Sequence, residues 1–416
     1  MRELIDKIKK KGFFHIFGSS VINKIIQFCS GIFLVRLLSK SEFGSYSYAQ
    51  NIMYIFLLFN GLGVLFALLQ YGSEDTKKKN YYYKYALRIG LLFNVFLSVS
   101  IVIYTVFIDF PNTQSKIALL LMAFMPFNIF LFEYIQNYLR TSLLNVEFSR
   151  ISTINTFFIF SFSVLGAVFF GVFGVIIANY LAYFGSIIFG FITIKKRIAM
   201  QSLTNEYISK VEKKGFMEYS IVSMLNNVIS QVVYFIDIFL IGIMIKNTSV
   251  IAVYKTATLI PFALNFIPIS AMTFIYPYFA KNRENKHWVN QNLKKIQRIM
   301  FIINFCIVTF LIIFAPLIIN ILFGKNYSES IVLFRILCFG YLIAGTFRIP
   351  AGNILSMLRE VKFLFIANII IGILNILLDL ILISKYSALG AAISTVSTIL
   401  ISSIIYNIYL NMKVSR

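Results

Sequence analysis

The residues of this sequence best placed to do chemistry are charges standing where an apolar residue is the norm. Lys24 lies in the middle of the apolar run 13–38, with Asn23 and Gln27 beside it. Lys255 falls about five residues into the run 250–279, and Arg348 stands just ahead of Pro350 in the run 328–352. Three acids are equally isolated: Glu133, Asp237 and Asp379. No catalytic constellation accompanies them. The two histidines, His15 and His287, sit at or near the ends of apolar runs, and neither a Walker A pattern nor a His/Cys cluster is present. Cys29, Cys306 and Cys338 all lie within apolar runs, so no disulfide framework is implied. The chemistry on offer is recognition of charge: cations for an anionic ligand, acids for a cation or a proton.

The medium around these charges follows from composition. Hydrophobic residues make up 59% of the 416 residues and charged ones 13%, with a mean hydropathy of +0.82. A soluble domain carries about 45–50% apolar and 25% charged residues. Apolar stretches long enough to cross a bilayer as helices recur along the whole chain, without the period-two alternation of a transmembrane barrel. The chain is therefore expected to be an all-α integral membrane protein. Its twelve transmembrane helices are expected at 13–38, 44–71, 83–108, 116–140, 150–170, 173–194, 217–245, 250–279, 299–322, 328–352, 363–384 and 388–410.

Lys and Arg set the orientation. With the N-terminus inside, the inner segments hold 27 of them and the outer connections five. That asymmetry in short loops predicts both termini in the cytoplasm. Most of the formal net charge of +22 is then a topology signal, and no nucleic-acid partner is expected. No cleavable signal peptide is expected either, because the first apolar segment is too long for one. The opening MRELIDKIKKKGFF is either a short amphipathic helix on anionic lipid or a frayed basic tail. KKKNYYYKY, Lys77–Tyr85, fits a basic, aromatic interfacial anchor. Every outer connection is short, which argues against a membrane enzyme working on the outer face.

An ionisable side chain at the bilayer centre costs about 2.5–3.5 kcal/mol on insertion scales, so each marks a functional site or a buried pair. Lys24 is too deep to snorkel easily, and Asn23 and Gln27 are expected to share its helical face as i, i+4 neighbours. Lys255 either faces a polar interior as a functional cation or snorkels outward. Arg36, Arg88 and Arg335 lie near span ends and are read as interfacial. Asp237 either pairs with Lys24 or Lys255 or carries a coupling cation. Asp379, with Asn375 one turn away, is read as structural. Asn51, Asn60, Asn226, Asn227, Asn265, Asn304 and Asn368 offer hydrogen bonds to neighbouring helices or to ligand hydroxyls. Pro261, Pro268 and Pro277 in one span predict a bent helix, either gating or statically kinked.

The chain also echoes itself. IFLVRLLSK, Ile32–Lys40, returns as IFLIGIMIK, Ile238–Lys246. EFGSYSYA (Glu42–Ala49) faces VIAVYKTA (Val250–Ala257), and LLNVEF (Leu143–Phe148) faces LREVKF (Leu358–Phe363). Six spans per half is an even number, so the halves are expected to be parallel repeats. The expected division is a lobe over 1–194, a basic cytoplasmic linker over 195–216 and a lobe over 217–416.

A first span ending RLLSKSEFGSYSYA, a seventh containing YFIDIFLIG, and ILFGKNYSESIVLFRILCFGYLIAG leading into the tenth together resemble the polysaccharide repeat-unit flippases. These are the O-antigen and capsule translocases of the MOP superfamily, which also holds lipid II flippases and MATE exporters. The resemblance covers nearly the whole chain. It implies V-shaped six-helix lobes, alternating access in a bacterial inner membrane, and a polyprenyl-pyrophosphate-linked oligosaccharide as cargo. It also implies membrane lipids and polysaccharide polymerase machinery as partners. On this reading Lys24, Lys255 and Arg348 are the cavity cations, and Asp237, Glu133 and Asp379 serve ion coupling, with H+ or Na+ as the coupling cation, or charge pairing. The alternative is a MATE-like ion-coupled exporter of small amphipathic molecules. MATE exporters typically use acids in their ion-coupled lobe, whereas the first span here offers Lys24 and no acid.

Overall fold

In lipid every backbone N–H and C=O must be satisfied within its own segment, so apolar runs of this length become helices. The computed structural model describes residues 13–74, 77–198, 207–282 and 284–415, and the regular structure there is helical. The basic opening over residues 1–12 lies outside the described residues. Nine helical stretches among the described residues are long and apolar enough to cross a membrane, or up to 11 when each of two bent helix pairs is taken as one span.

The chain divides into two compact units, Met1–Val232 and Val233–Arg416. The first contains α1 (Phe13–Leu37), α2 (Lys40–Leu57), α3 (Val64–Glu74), α4 (Lys79–Phe107), α5 (Thr113–Met122), α6 (Met125–Thr141), α7 (Asn145–Ile198) and α8 (Lys210–Gln231). Polar caps start several of these. Ser39 and Glu42 form a capping box at α2, Ser209 and Glu212 form another at α8, and Asn112 caps α5. Each satisfies backbone donors that a helix start would otherwise strand.

Two features depart from an even run of straight spans. The expected second span breaks at Asn60–Gly63, where Gly61 (φ 58°) and Leu62 (φ 56°) are left-handed. Gly61 is required there, because a Cβ would press into the Phe130 ring at 2.5 Å. The 54 residues of α7 are two limbs, since Gly171 reverses the chain with φ 57° and ψ −140°. The limbs touch so closely that a Cβ on Gly166 would fall on the Gly174 carbonyl. Between α5 and α6 the axis bends by 42°.

The expected interfacial anchor Lys77–Tyr85 is largely folded inward. Tyr82 and Tyr83 are buried, Tyr82 stacks on Phe216 at 5.4 Å, and Lys78 pairs with Glu212 at 2.6 Å. Lys79 is buried too, with its ammonium 4.6 Å from the Tyr138 ring centre. The physical reason is α8, whose Phe216 needs an aromatic bed. That packing joins α8 to the first unit and sets the seam at Val232/Val233.

The second unit contains α9 (Val233–Ile245), α10 (Thr248–Leu264), α11 (Phe266–Lys281), α12 (Lys286–Ile313), α13 (Ala315–Leu322), α14 (Ser330–Ile343), α15 (Ile349–Met357), α16 (Val361–Tyr386) and α17 (Ala388–Ser415). Pro261 lies inside α10, the helix restarts after Asn265, Pro268 follows near the start of α11, and Pro277 lies further along it. A π-turn over Ala344–Arg348 joins α14 to α15, so Arg348 sits in the widened turn just ahead of Pro350. The reversal between α16 and α17 copies the one at Gly171. Ser387 has φ 53° and ψ −136°, and a Cβ on Gly390 would fall on the Leu382 carbonyl. Across both units, large apolar side chains such as Phe107, Phe169, Phe170 and Ile302 are exposed, which suits a hydrocarbon solvent.

Candidate functional site

A polar cluster is built among the apolar helices of the second unit. α9 brings Asp237, α10 brings Tyr254, α16 brings Asn375 and Asp379, and α17 brings Ser394 and Thr395. All lie in helices that hydropathy marks as apolar. The Tyr254 hydroxyl donates to Asp237 Oδ2, and Thr395 Oγ1 donates to the same oxygen at 2.6 Å. Asn375 Nδ2 donates to Ser394 Oγ at 3.2 Å. Asp237 and Asp379 are close enough to interact directly. Four buried oxygens are left without a donor: Asp237 Oδ1, both carboxylate oxygens of Asp379, and Asn375 Oδ1.

Among the described residues no Lys or Arg pairs with either acid. Of the alternatives for Asp237, pairing with Lys255 is not formed; Tyr254 and Thr395 occupy one of its oxygens instead. Two carboxylates meeting in a buried site are tolerated when one of them is protonated or when a metal cation lies with them. The oxygen-only donor set suits a hard cation, and the orphaned oxygens are where it would be held. Asp379 was expected to be structural. It is fully buried, and its own oxygens make no hydrogen bond to Asn375.

The first unit builds the same frame without the acids. Tyr46, the counterpart of Tyr254, is buried and its hydroxyl accepts from Gln50 Nε2 at 2.8 Å and Asn179 Nδ2 at 3.5 Å. Ser163 Oγ donates to Asn179 Oδ1 at 3.2 Å. Gly31 stands before the first copy of the IFL motif where Asp237 stands before the second. Counted from the matched reversals at Gly171 and Ser387, Ser163 stands where Asp379 stands and Asn179 where Thr395 stands. The acid pair is thus an addition to one copy of a shared scaffold.

The expected cations lie on different elements. Lys24 is exposed on α1, and its ammonium reaches Gln27 Oε1 at 3.5 Å. Asn23 does not share that face; it is buried and donates to Ser152 Oγ of α7 at 2.9 Å. Lys255 is half-buried on α10 with no partner for its ammonium among the described residues. Arg348 is half-buried in the π-turn, and Arg36, Arg88 and Arg335 are exposed.

Of the amides, Asn51 is buried with its Oδ1 unpartnered, Asn226 is exposed and Asn227 half-buried on α8. Asn304 bridges Tyr341 and Thr346, and Asn368 accepts from the Tyr406 hydroxyl at 2.7 Å. Glu133 accepts from Asn60 Nδ2 at 3.4 Å in a cavity of the first unit. Sequence reasoning missed Thr395, Asn94 and Gln136, and met Tyr254 only as a repeat match to Tyr46.

The sequence profile of a family described as "Polysaccharide biosynthesis protein" matches residues 33–332. A Shigella flexneri protein named for O-antigen transport is 25% identical over 170 residues, which is 41% of this chain and 40% of that protein's length. The aligned part therefore spans less than half of that relative. Among solved structures, the lipid II flippase MurJ in an inward closed conformation matches with a TM-score of 0.76 at 18% identity, over 96% of this chain and 87% of that one. An inward-facing multidrug resistance MATE family transporter of the MOP superfamily matches with a TM-score of 0.76 at 16% identity, over 94% of each chain. At these identities the two structures establish the fold.

Proposed function

This chain belongs to the polysaccharide biosynthesis protein family with a MOP transporter fold, and we propose from that premise that it flips a polyprenyl-pyrophosphate-linked oligosaccharide across a bacterial inner membrane. The match to that family over residues 33–332 is the observation that carries the reading. The protein is a transporter and not an enzyme. The cargo moves from the cytoplasmic to the outer leaflet by alternating access, with the lipid tail remaining in the bilayer.

Twelve spans in two parallel repeats, with both termini inside, fit this role. Splitting α7 at Gly171 and joining each bent pair into one span favours that count. The matching reversals at Gly171 and Ser387, and the matching tyrosines Tyr46 and Tyr254, favour the duplication. Lys24, Lys255 and Arg348 are the cations that meet the anionic pyrophosphate. An outward-moving negative charge gains about 2.3 kcal/mol per 100 mV of inside-negative potential. A cation taken up by Asp237 and Asp379, with Asn375 and Thr395 beside them, adds a second driving force.

Reconstitution tests this. Proteoliposomes holding the full chain and a pyrophosphate-linked glycan lipid are expected to expose the glycan faster when a potential or a cation gradient is applied. Flipping that ignores both would refute the energetics. An unchanged surface glycan in cells lacking the protein would refute the cargo.

A further inference from the structure

The first unit holds a cavity of about 350 Å³ that the transport reading leaves unused. That size falls within the roughly 300–1,000 Å³ of small-molecule sites. It opens where the second span breaks, against α6. Asn60, Glu133, Gln136, Asn137, Arg140 and Asn227 supply its polar side chains. Asn94 is fully buried and holds the break in shape. It accepts from the Gly61 N–H at 3.0 Å and donates to Asn60 Oδ1 at 3.0 Å, which leaves the Asn60 amide nitrogen for Glu133.

Gln136 is the telling residue. It is only 8% exposed, yet neither its Oε1 nor its Nε2 has a partner. A buried amide with both ends unsatisfied is unfavourable, and an external group that completes it accounts for its presence. The mixture of charges narrows that group. An anion would be repelled by Glu133 and an ammonium by Arg140. A hydroxyl donates to a carboxylate and accepts from a guanidinium, so it suits both. Phe66 and Phe148 complete the wall with apolar surface, which suits the C–H face of a sugar ring.

We propose that this cavity binds one neutral pyranose sugar. The inference rests on the glycan-transport reading and deepens it by placing a sugar contact inside the first unit, apart from the acid pair. The test uses the detergent-purified full chain and saturation-transfer NMR with D-glucose, D-galactose, N-acetyl-D-glucosamine, L-rhamnose and the anionic D-glucuronate. At least one neutral sugar is expected to receive saturation, and glucuronate much less. Gln136→Met, which keeps volume and helix propensity, is expected to weaken binding about tenfold or more without lowering the melting temperature.

No transfer to any of the four neutral sugars in the folded protein would overturn the proposal. So would equal transfer in Gln136→Met. Flipping assayed in parallel separates the two readings. Normal flipping without sugar binding removes the pocket alone, whereas sugar binding without glycan flipping removes the transport reading and leaves the pocket.

Discussion

Asp237 on α9 and Asp379 on α16 meet inside the second unit with three of their four carboxylate oxygens lacking a donor. Tyr254 and Thr395 satisfy the fourth. Ordinary structural acids at membrane depth are paired with a base or wrapped in donors. A proton or a cation would complete this pair, as the proposed coupling role requires.

Asp379→Asn is accordingly expected to fold and to lose coupling. The amide is isosteric and brings two donors to a site that has an excess of acceptors. Melting curves in sodium chloride against choline chloride at equal ionic strength are the measurement. A sodium site filled at 100 times its Kd would stabilise the wild type by about 2.7 kcal/mol, and the variant is expected to show none of it. If the wild type also ignores sodium, the site takes a proton, and the variant is then expected to lose its response to a pH gradient.

The reversals at Gly171 and Ser387 have nearly the same backbone angles, but only one carries glycine. A side chain in that region costs about 1–3 kcal/mol. Ser387→Gly is thus expected to raise thermal stability by about 1 kcal/mol. Gly171→Ala is expected to lower it by at least as much, because its Cβ would also approach Glu42 Oε1 at 3.0 Å. Thermal denaturation in detergent reads both. Opposite signs are the signature of the shared turn.

Glu360, ahead of α16, accepts from Lys413 at 2.8 Å and from the Tyr409 hydroxyl at 2.7 Å. Those bonds hold its carboxyl below the usual carboxylate range. Its folded value is therefore below the unfolded one near 4.3. The stabilisation is fully present above the unfolded value and is lost as pH falls through the folded one. The pair is partly solvated, so the effect is small, a melting shift of ~1–2 °C. Glu360→Gln is expected to show that loss already at pH 7 and a flatter profile below pH 5.

Single charges were legible in the sequence because each breaks an apolar run, and the family pattern was legible in span placement. The pairing of Asp237 with Asp379 was not, since it joins helices far apart in the chain and nothing local marks it. Asn375 one turn from Asp379 suggested a local structural pair, but Asn375 turns its nitrogen to Ser394. Tyr254 carried a usable signal, a polar aromatic matched by Tyr46 at the same place in the other half. Gln136 was overlooked because it lies near the inner end of its expected span, where polar residues are ordinary. The break at Asn60–Gly63 was signalled by two glycines within NGLG, yet surrounding hydropathy outweighed them.

Lys24 separates a cargo-handling cation from a structural one. Its ammonium is exposed and, among the described residues, has only a long contact to Gln27, while its neighbour Asn23 does the packing against Ser152. Lys24→Ala removes no buried partner, so its effect on stability is expected to stay within about 0.5 kcal/mol. Flipping of a pyrophosphate-linked glycan is expected to fall about tenfold or more, and Lys24→Arg to restore most of it by keeping the charge. Asn23→Ala is expected to do the reverse, costing about 1 kcal/mol by losing the Ser152 bond while flipping is retained at equal protein level. Melting temperature and flipping rate measured on the same three preparations distinguish the roles, and a Lys24→Ala protein with normal flipping would exclude Lys24 from cargo binding.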